Sequence, residues 1–114
     1  MDNSRTSQPL YVAKAELFRS LGHPVRIRIL ELLVDGEKPV SVLLGELHVE
    51  PSSLSQHLNV LKHTGLVVSR RQGNGVTYEV TDASVKEFLA SARAVLSSTL
   101  GRTRSALESL EAPR

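Results

Sequence analysis

Val49-Glu50-Pro51-Ser52-Ser53-Leu54-Ser55-Gln56-His57-Leu58-Asn59-Val60-Leu61-Lys62-His63-Thr64-Gly65-Leu66-Val67 is the stretch on which the reading of this chain turns. Pro51 suits a first helical turn, where its missing N–H costs nothing. Leu54, Leu58 and Leu61 follow at i, i+4, i+7 and make one apolar stripe. The opposite face carries Ser52, Ser53, Ser55, Gln56, Asn59 and Lys62. It is polar, short-chained and nearly uncharged, whereas a merely solvated helix face is richer in Glu and Lys. Ser, Gln, Asn and His side chains can donate to and accept from base edges. Gly65 then takes the C′ position that ends a helix. The spacing predicts a helix over residues 51–64, read as the second helix of a helix-turn-helix that faces DNA.

Upstream, Leu10, Ala13, Leu17, Phe18 and Leu21 keep helical spacing. Gly22-His23-Pro24 interrupts them, with Pro24 starting the next helix and His23 read as its cap. Pro24–Val34 is rich in Ile, Leu and Val, which suggests a central helix packed on several sides. Arg26, alone among these apolar residues on its face, is read as pairing within the core or a dimer. Asp35–Pro39 reads as a turn and Ser41–Leu47 as a short helix. His48-Val49-Glu50 connects it to the polar-faced helix.

After Gly65 the period changes. Val67–Gln72 reads as a strand, Gly73-Asn74-Gly75 as a tight turn, and Val76–Val80 as a second strand alternating Val76, Tyr78 and Val80 against Thr77 and Glu79. A hairpin directly after such a helix is a wing, here residues 67–80. Thr81-Asp82 caps a last helix with apolar Val85, Leu89, Ala92, Leu96, Leu100, Leu107 and Leu110. Gly101 is a place for that helix to bend. The fold expected is mainly α with a β-hairpin wing, α-α-α-α-β-β-α.

At 114 residues the chain is expected to be one domain over residues 10–110, behind a flexible tail at 1–9. A core of this size is marginal alone, and self-association would help. The stripe running to Leu110 exceeds what a winged helix needs, and exposed apolar stripes mark partner surfaces. A homodimer is therefore expected through the first and last helices, with Leu10, Ala13, Leu17, Leu89, Ala92 and Leu96 at its interface. The net charge of +2 is a mild basic bias. Position says more: Lys62, Arg70 and Arg71 cluster where DNA phosphates would lie. The competing reading of the arginines is protection of a strand edge. Asn74 either enters a minor groove or serves only the hairpin turn.

The chain has no cysteine, which excludes disulfides and thiolate metal sites and fits a reducing cytoplasm. No apolar run approaches the ~18 residues of a membrane span, and Met1–Pro9 has no signal-peptide apolar region. No Gly-rich phosphate loop, His-Glu-x-x-His element or nucleophile elbow is present, so no enzyme is expected.

Three segments in order resemble the ArsR/SmtB family of bacterial repressors. They are Leu21-Gly22-His23-Pro24-Val25-Arg26-Ile27-Arg28-Ile29-Leu30, Ser53–Lys62 followed by Gly65-Leu66-Val67, and Arg70-Arg71-Gln72-Gly73-Asn74-Gly75-Val76-Thr77-Tyr78. The resemblance runs from about Leu10 to Leu96. It implies a winged helix-turn-helix homodimer that binds double-stranded DNA at an imperfect inverted repeat and releases it on an allosteric signal. Whether that signal is a small-molecule effector, a protein, or absent is open at this point. Two positions depart from the family's Gly and Ser in the turn: His48, which tolerates a left-handed backbone less well than Gly, and Glu50, a poorer N-cap than Ser.

Base contacts are assigned to Ser53, Ser55, Gln56, His57 and Asn59, with Gln56 suited to bidentate pairing with adenine. For His57, packing against the wing or touching a phosphate is the competing role. Phosphate or wing contacts are assigned to Lys62, Arg70, Arg71 and Asn74. Metal-sensing relatives use cysteines near the recognition helix or Asp/His pairs on the last helix. Here the last helix offers Asp82, Glu87, Glu108 and Glu111 without His, and His23, His48, His57 and His63 are dispersed. No metal and no cofactor is expected. A winged-helix module binding a protein through its polar helix face is the alternative to DNA binding.

Overall fold

The computed structural model describes residues 8–111. The order is α1 Leu10–Ser20, α2 Pro24–Leu33, β1 Lys38–Pro39, α3 Val40–Leu47, α4 Pro51–His63, β2 Val67–Gln72, β3 Gly75–Val80 and α5 Ser84–Glu111. The expected tail at 1–9 lies largely outside the described residues.

The core forms where the helical stripes meet. Ile29, Leu30 and Leu33 of α2, Leu43 of α3, Leu54, Leu58 and Leu61 of α4, and Val67 of β2 are all essentially fully buried. Burying each such side chain is worth about 1.5–3 kcal/mol against leaving it exposed. Leu21 and Val85 close the cluster where α1 ends and α5 begins. The α4 stripe read from spacing is therefore the face that holds the helix to α2 and β2, leaving its polar face outward.

The wing holds one strand more than its sequence suggests. Lys38–Pro39, read as part of a turn, pairs antiparallel with β3, so the sheet order is β1-β3-β2. This makes β3 the central strand and explains why Thr77, expected on the solvent side, is buried. Thr77 lies opposite Pro39 on one side and Arg70 on the other. Its hydroxyl donates to Gln72 Oε1 at 3.1 Å. Strand β2 pairs from Val67↔Val80 to Gln72↔Gly75, so the hairpin loop is Gly73-Asn74. Gly73 alone has positive φ there, 60°, which suits a II′ turn with glycine first. The Asn-Gly pair is not the turn centre.

Helix α5 runs unbroken through Gly101 to Glu111. Its first two turns pack on the core through Val85, Phe88 and Leu89. From Ala90 to Leu110 every residue is exposed. Helix α1 also stands off the core, leaving Leu10, Tyr11 and Phe18 exposed. It meets α5 where the Phe18 and Phe88 ring centroids lie 5.9 Å apart.

Candidate nucleic-acid interface

Helix α4 is reached through a turn in which His48 takes a left-handed conformation, φ 54° and ψ 44°. Glu50 occupies the N-cap without a side-chain capping bond, and Pro51 follows at the first helical position. At the other end Gly65, φ 87°, lets the Leu66 N–H reach back to the Leu61 carbonyl at 3.0 Å. Thr81, at the foot of the wing, donates its hydroxyl to the Gly65 carbonyl at 2.6 Å, and its N–H bonds the Leu66 carbonyl at 3.0 Å. The end of the helix and the base of the wing are thus tied together. The sequence signalled Thr81 only as part of a cap, because its partner lies sixteen residues away.

Ser52, Ser55, Gln56 and Asn59 are exposed on α4, and Ser53 is half-buried beside them. None makes a side-chain hydrogen bond among the described residues, so their donors and acceptors stay available. His57 is placed differently. It is half-buried on the flank facing α2, its ring 4.3 Å from that of His23. Its Nδ1 accepts from Arg26 Nε at 3.2 Å. Burial, then the positive charges of His23 and Arg26, hold its pKa below the ordinary 6.5. His23 caps α2, its Nδ1 accepting from the Val25 N–H at 3.1 Å, as its place before Pro24 suggests.

Lys62 donates to Ser69 Oγ at 2.8 Å, which leans the lysine against the wing. Arg71 and Asn74 are exposed, Asn74 at the wing tip. Arg70 is exposed too but ion-paired with Glu37. That partner is set by strand β1, which pairs with β3 and so brings the loop before it within reach of Arg70, one strand further across the sheet. No local sequence signal links residues 37 and 70. Among the described residues, no three His, Asp or Glu side chains converge as a metal site would require. Nor is any helix among them long and apolar enough to cross a membrane.

Of the residues assigned to a dimer, Leu10, Ala13, Ala92 and Leu96 are exposed, while Leu17 and Leu89 are half-buried against the core. A largely apolar groove between α2 and α5 is lined by Ile27, Val34, Leu89, Ala90, Ala92 and Leu96, together with the charged Glu31 and Arg93.

A helix with a free polar face, a tied three-stranded wing and basic side chains on both define a winged helix-turn-helix DNA-binding regulator. Residues 23–69 match the family described as bacterial regulatory protein, arsR family. The HTH-type transcriptional regulator Rv0081 of Mycobacterium tuberculosis is 47% identical over 107 residues, spanning 93% of this chain and 94% of that protein. Its crystal structure superposes with a TM-score of 0.79, covering 85% of this chain and 98% of that one. A homodimeric winged helix-turn-helix DNA-binding domain from Mycobacterium bovis, solved in solution, gives 0.71 at 27% identity, covering 85% of this chain and 87% of that one. The transcriptional repressor SmtB of M. tuberculosis is 41% identical over 70 residues, 61% of this chain and 52% of its own length. The chain belongs to the arsR family of bacterial transcriptional regulators.

Proposed function

We propose that this regulator is a cytoplasmic homodimer that represses transcription by binding an imperfect inverted repeat near a promoter. The observation that carries the reading is the outward face of α4, where Ser55, Gln56 and Asn59 stand exposed and unengaged next to basic side chains. Ser53, Ser55, Gln56 and Asn59 read base edges in the major groove, and His57 holds the edge of that face. Lys62, Arg70 and Arg71 neutralise phosphates, with Asn74 reaching the backbone or minor groove. The domain of residues 10–110 self-associates through α1 and α5, whose exposed Leu10, Ala13, Ala92 and Leu96 adjoin half-buried Leu17 and Leu89. Pairing of these helices sets two copies of α4 about 34 Å apart, one turn of DNA.

Selection of duplexes from a randomised pool by the purified protein tests this reading. It predicts recovery of an inverted repeat whose half-sites are centred about 10 base pairs apart, or a multiple of that. Recovery of unrelated sequences, or of a single half-site with no symmetric partner, would contradict it.

A further inference from the structure

Arg26 occupies a junction between three elements. From α2 its Nη1 donates to the Ser20 carbonyl, the last of α1, at 2.9 Å. Its Nε donates to His57 Nδ1 on α4 at 3.2 Å. His23, at the N-cap of α2, lies against the same imidazole, with centroids 4.3 Å apart and the rings tilted by 46°. One planar, permanently charged group therefore holds both the end of α1 and the side of the DNA-facing helix. His57 is rigidly joined through the α4 backbone to Gln56 before it and Asn59 beyond Leu58. A rotation of α4 about its own axis would move that face and break the Arg26 bond together.

We propose that Arg26 is a positioning residue for DNA recognition, fixing the rotation of α4 against α1 and α2 through a neutral His57. This rests on the reading of the α4 face as the base-reading surface. The chemistry makes the junction conditional. A nitrogen that accepts from Arg26 carries no proton of its own, so His57 must be neutral with its proton on Nε2. Protonation at Nδ1 replaces the acceptor with a second donor facing a guanidinium. The groups around it offer no relief. Burial, His23 and Arg26 all disfavour a charged His57. In the adjoining groove between α1 and α4 lie Glu16, Arg19 and His63. Lys62 points instead to the wing. No carboxylate bonds His57 or Arg26 among the described residues.

The test measures affinity for a duplex selected by the wild-type protein from a randomised pool, and for a scrambled duplex, from about pH 7.5 down to about pH 5.5. The variants are Arg26→Met, which keeps the stem without donors, and His57→Asn, whose Oδ1 replaces Nδ1 as acceptor but does not titrate. Circular dichroism melts establish that each is folded. Wild type should lose about tenfold of its preference for the selected duplex across this range, while the preference of His57→Asn, at whatever level, should not change with pH. Arg26→Met should show the reduced preference already at the higher pH. Equal pH profiles for wild type and His57→Asn would overturn the proposal. So would a wild-type preference in Arg26→Met, or in its place, if that variant is unfolded, in Arg26→Leu, which also lacks donors. Absence of any preferred duplex for the wild type would instead refute the DNA-interface reading beneath it.

Discussion

Gln56 on α4 and Arg71 on β2 are both exposed, and chemistry separates their roles. A Gln amide on a recognition helix can discriminate adenine by two hydrogen bonds, worth about 1–3 kcal/mol against a wrong base. Gln56→Ala should lose affinity for the operator while leaving binding to unrelated DNA nearly unchanged. An arginine on a wing meets phosphate, which carries no sequence. Arg71→Ala should weaken all duplexes alike and reduce the slope of log K against log salt by about one. Titrations at several salt concentrations check both, and equal losses on every sequence for both variants would undo the division of roles. Arg70 should matter less than Arg71, since Glu37 already offsets its charge. At the same scale, two depressed pKa values set an acid limit to stability. Burial and neighbouring cations disfavour charged His57, and the Ser84 hydroxyl and N–H favour charged Asp82. In both cases the unfolded chain takes up the proton more readily, so stability falls as pH falls. The His57 contribution is lost below about 6.5 as pH drops through its lower folded value, and that of Asp82 below about 3.8. The melting temperature of His57→Asn should fall less steeply with acid than that of wild type across the first window; parallel curves would contradict the assignment.

At the scale of elements, the recognition helix was legible because its two faces differ in kind. Leu54, Leu58 and Leu61 gave the buried side, Pro51 and Gly65 the ends, and the structure sets the helix at Pro51–His63. Strand β1 was not legible. Two residues, one of them proline, carry no alternation, and their pairing to Thr77 and Tyr78 is a product of tertiary packing. The burial of Thr77 and the Arg70–Glu37 pair were hidden for the same reason. The polar face of α4 was visible in sequence, but the inward attachment of His57 was not. Spacing cannot tell which flank of that face meets α2. The turn before α4 makes a further prediction. His48 adopts φ 54° with a side chain that costs about 1–2 kcal/mol in the left-handed region. His48→Gly should relieve part of that strain and raise stability by up to about 1 kcal/mol. Gly65→Ala, at φ 87° with open space around the added carbon, should lower it by a similar amount through backbone strain alone. Chemical denaturation measures both, and a destabilised His48→Gly would show that the imidazole makes a compensating contact.

For the whole molecule, the notable proportion is how much apolar surface lies on helices that do little for the core. The molecule measures 66 × 43 × 25 Å along its principal axes, drawn out by a 28-residue last helix. Leu96, Leu100, Leu107 and Leu110 are each more than half exposed along it. Their burial in a dimer would supply stability that a domain of this size otherwise lacks. Leu96→Glu should shift the protein from dimer to monomer in sedimentation equilibrium. Operator binding should fall with it by more than tenfold, because two half-sites no longer bind together. A dimer unaffected by that charge would place the interface elsewhere.

Fluorescence anisotropy decides whether the α4 face reads DNA sequence. The protein is titrated against DNA from upstream of its own gene and against a scrambled duplex, both at ~150 mM salt, with Gln56→Ala alongside. The expected result is tight wild-type binding to the upstream duplex, weak binding to the scrambled one, and a preference reduced in the variant. Equal weak binding to both, with capture of no preferred sequence from a genomic pool, would contradict it and leave the polar face of α4 as a surface for a protein.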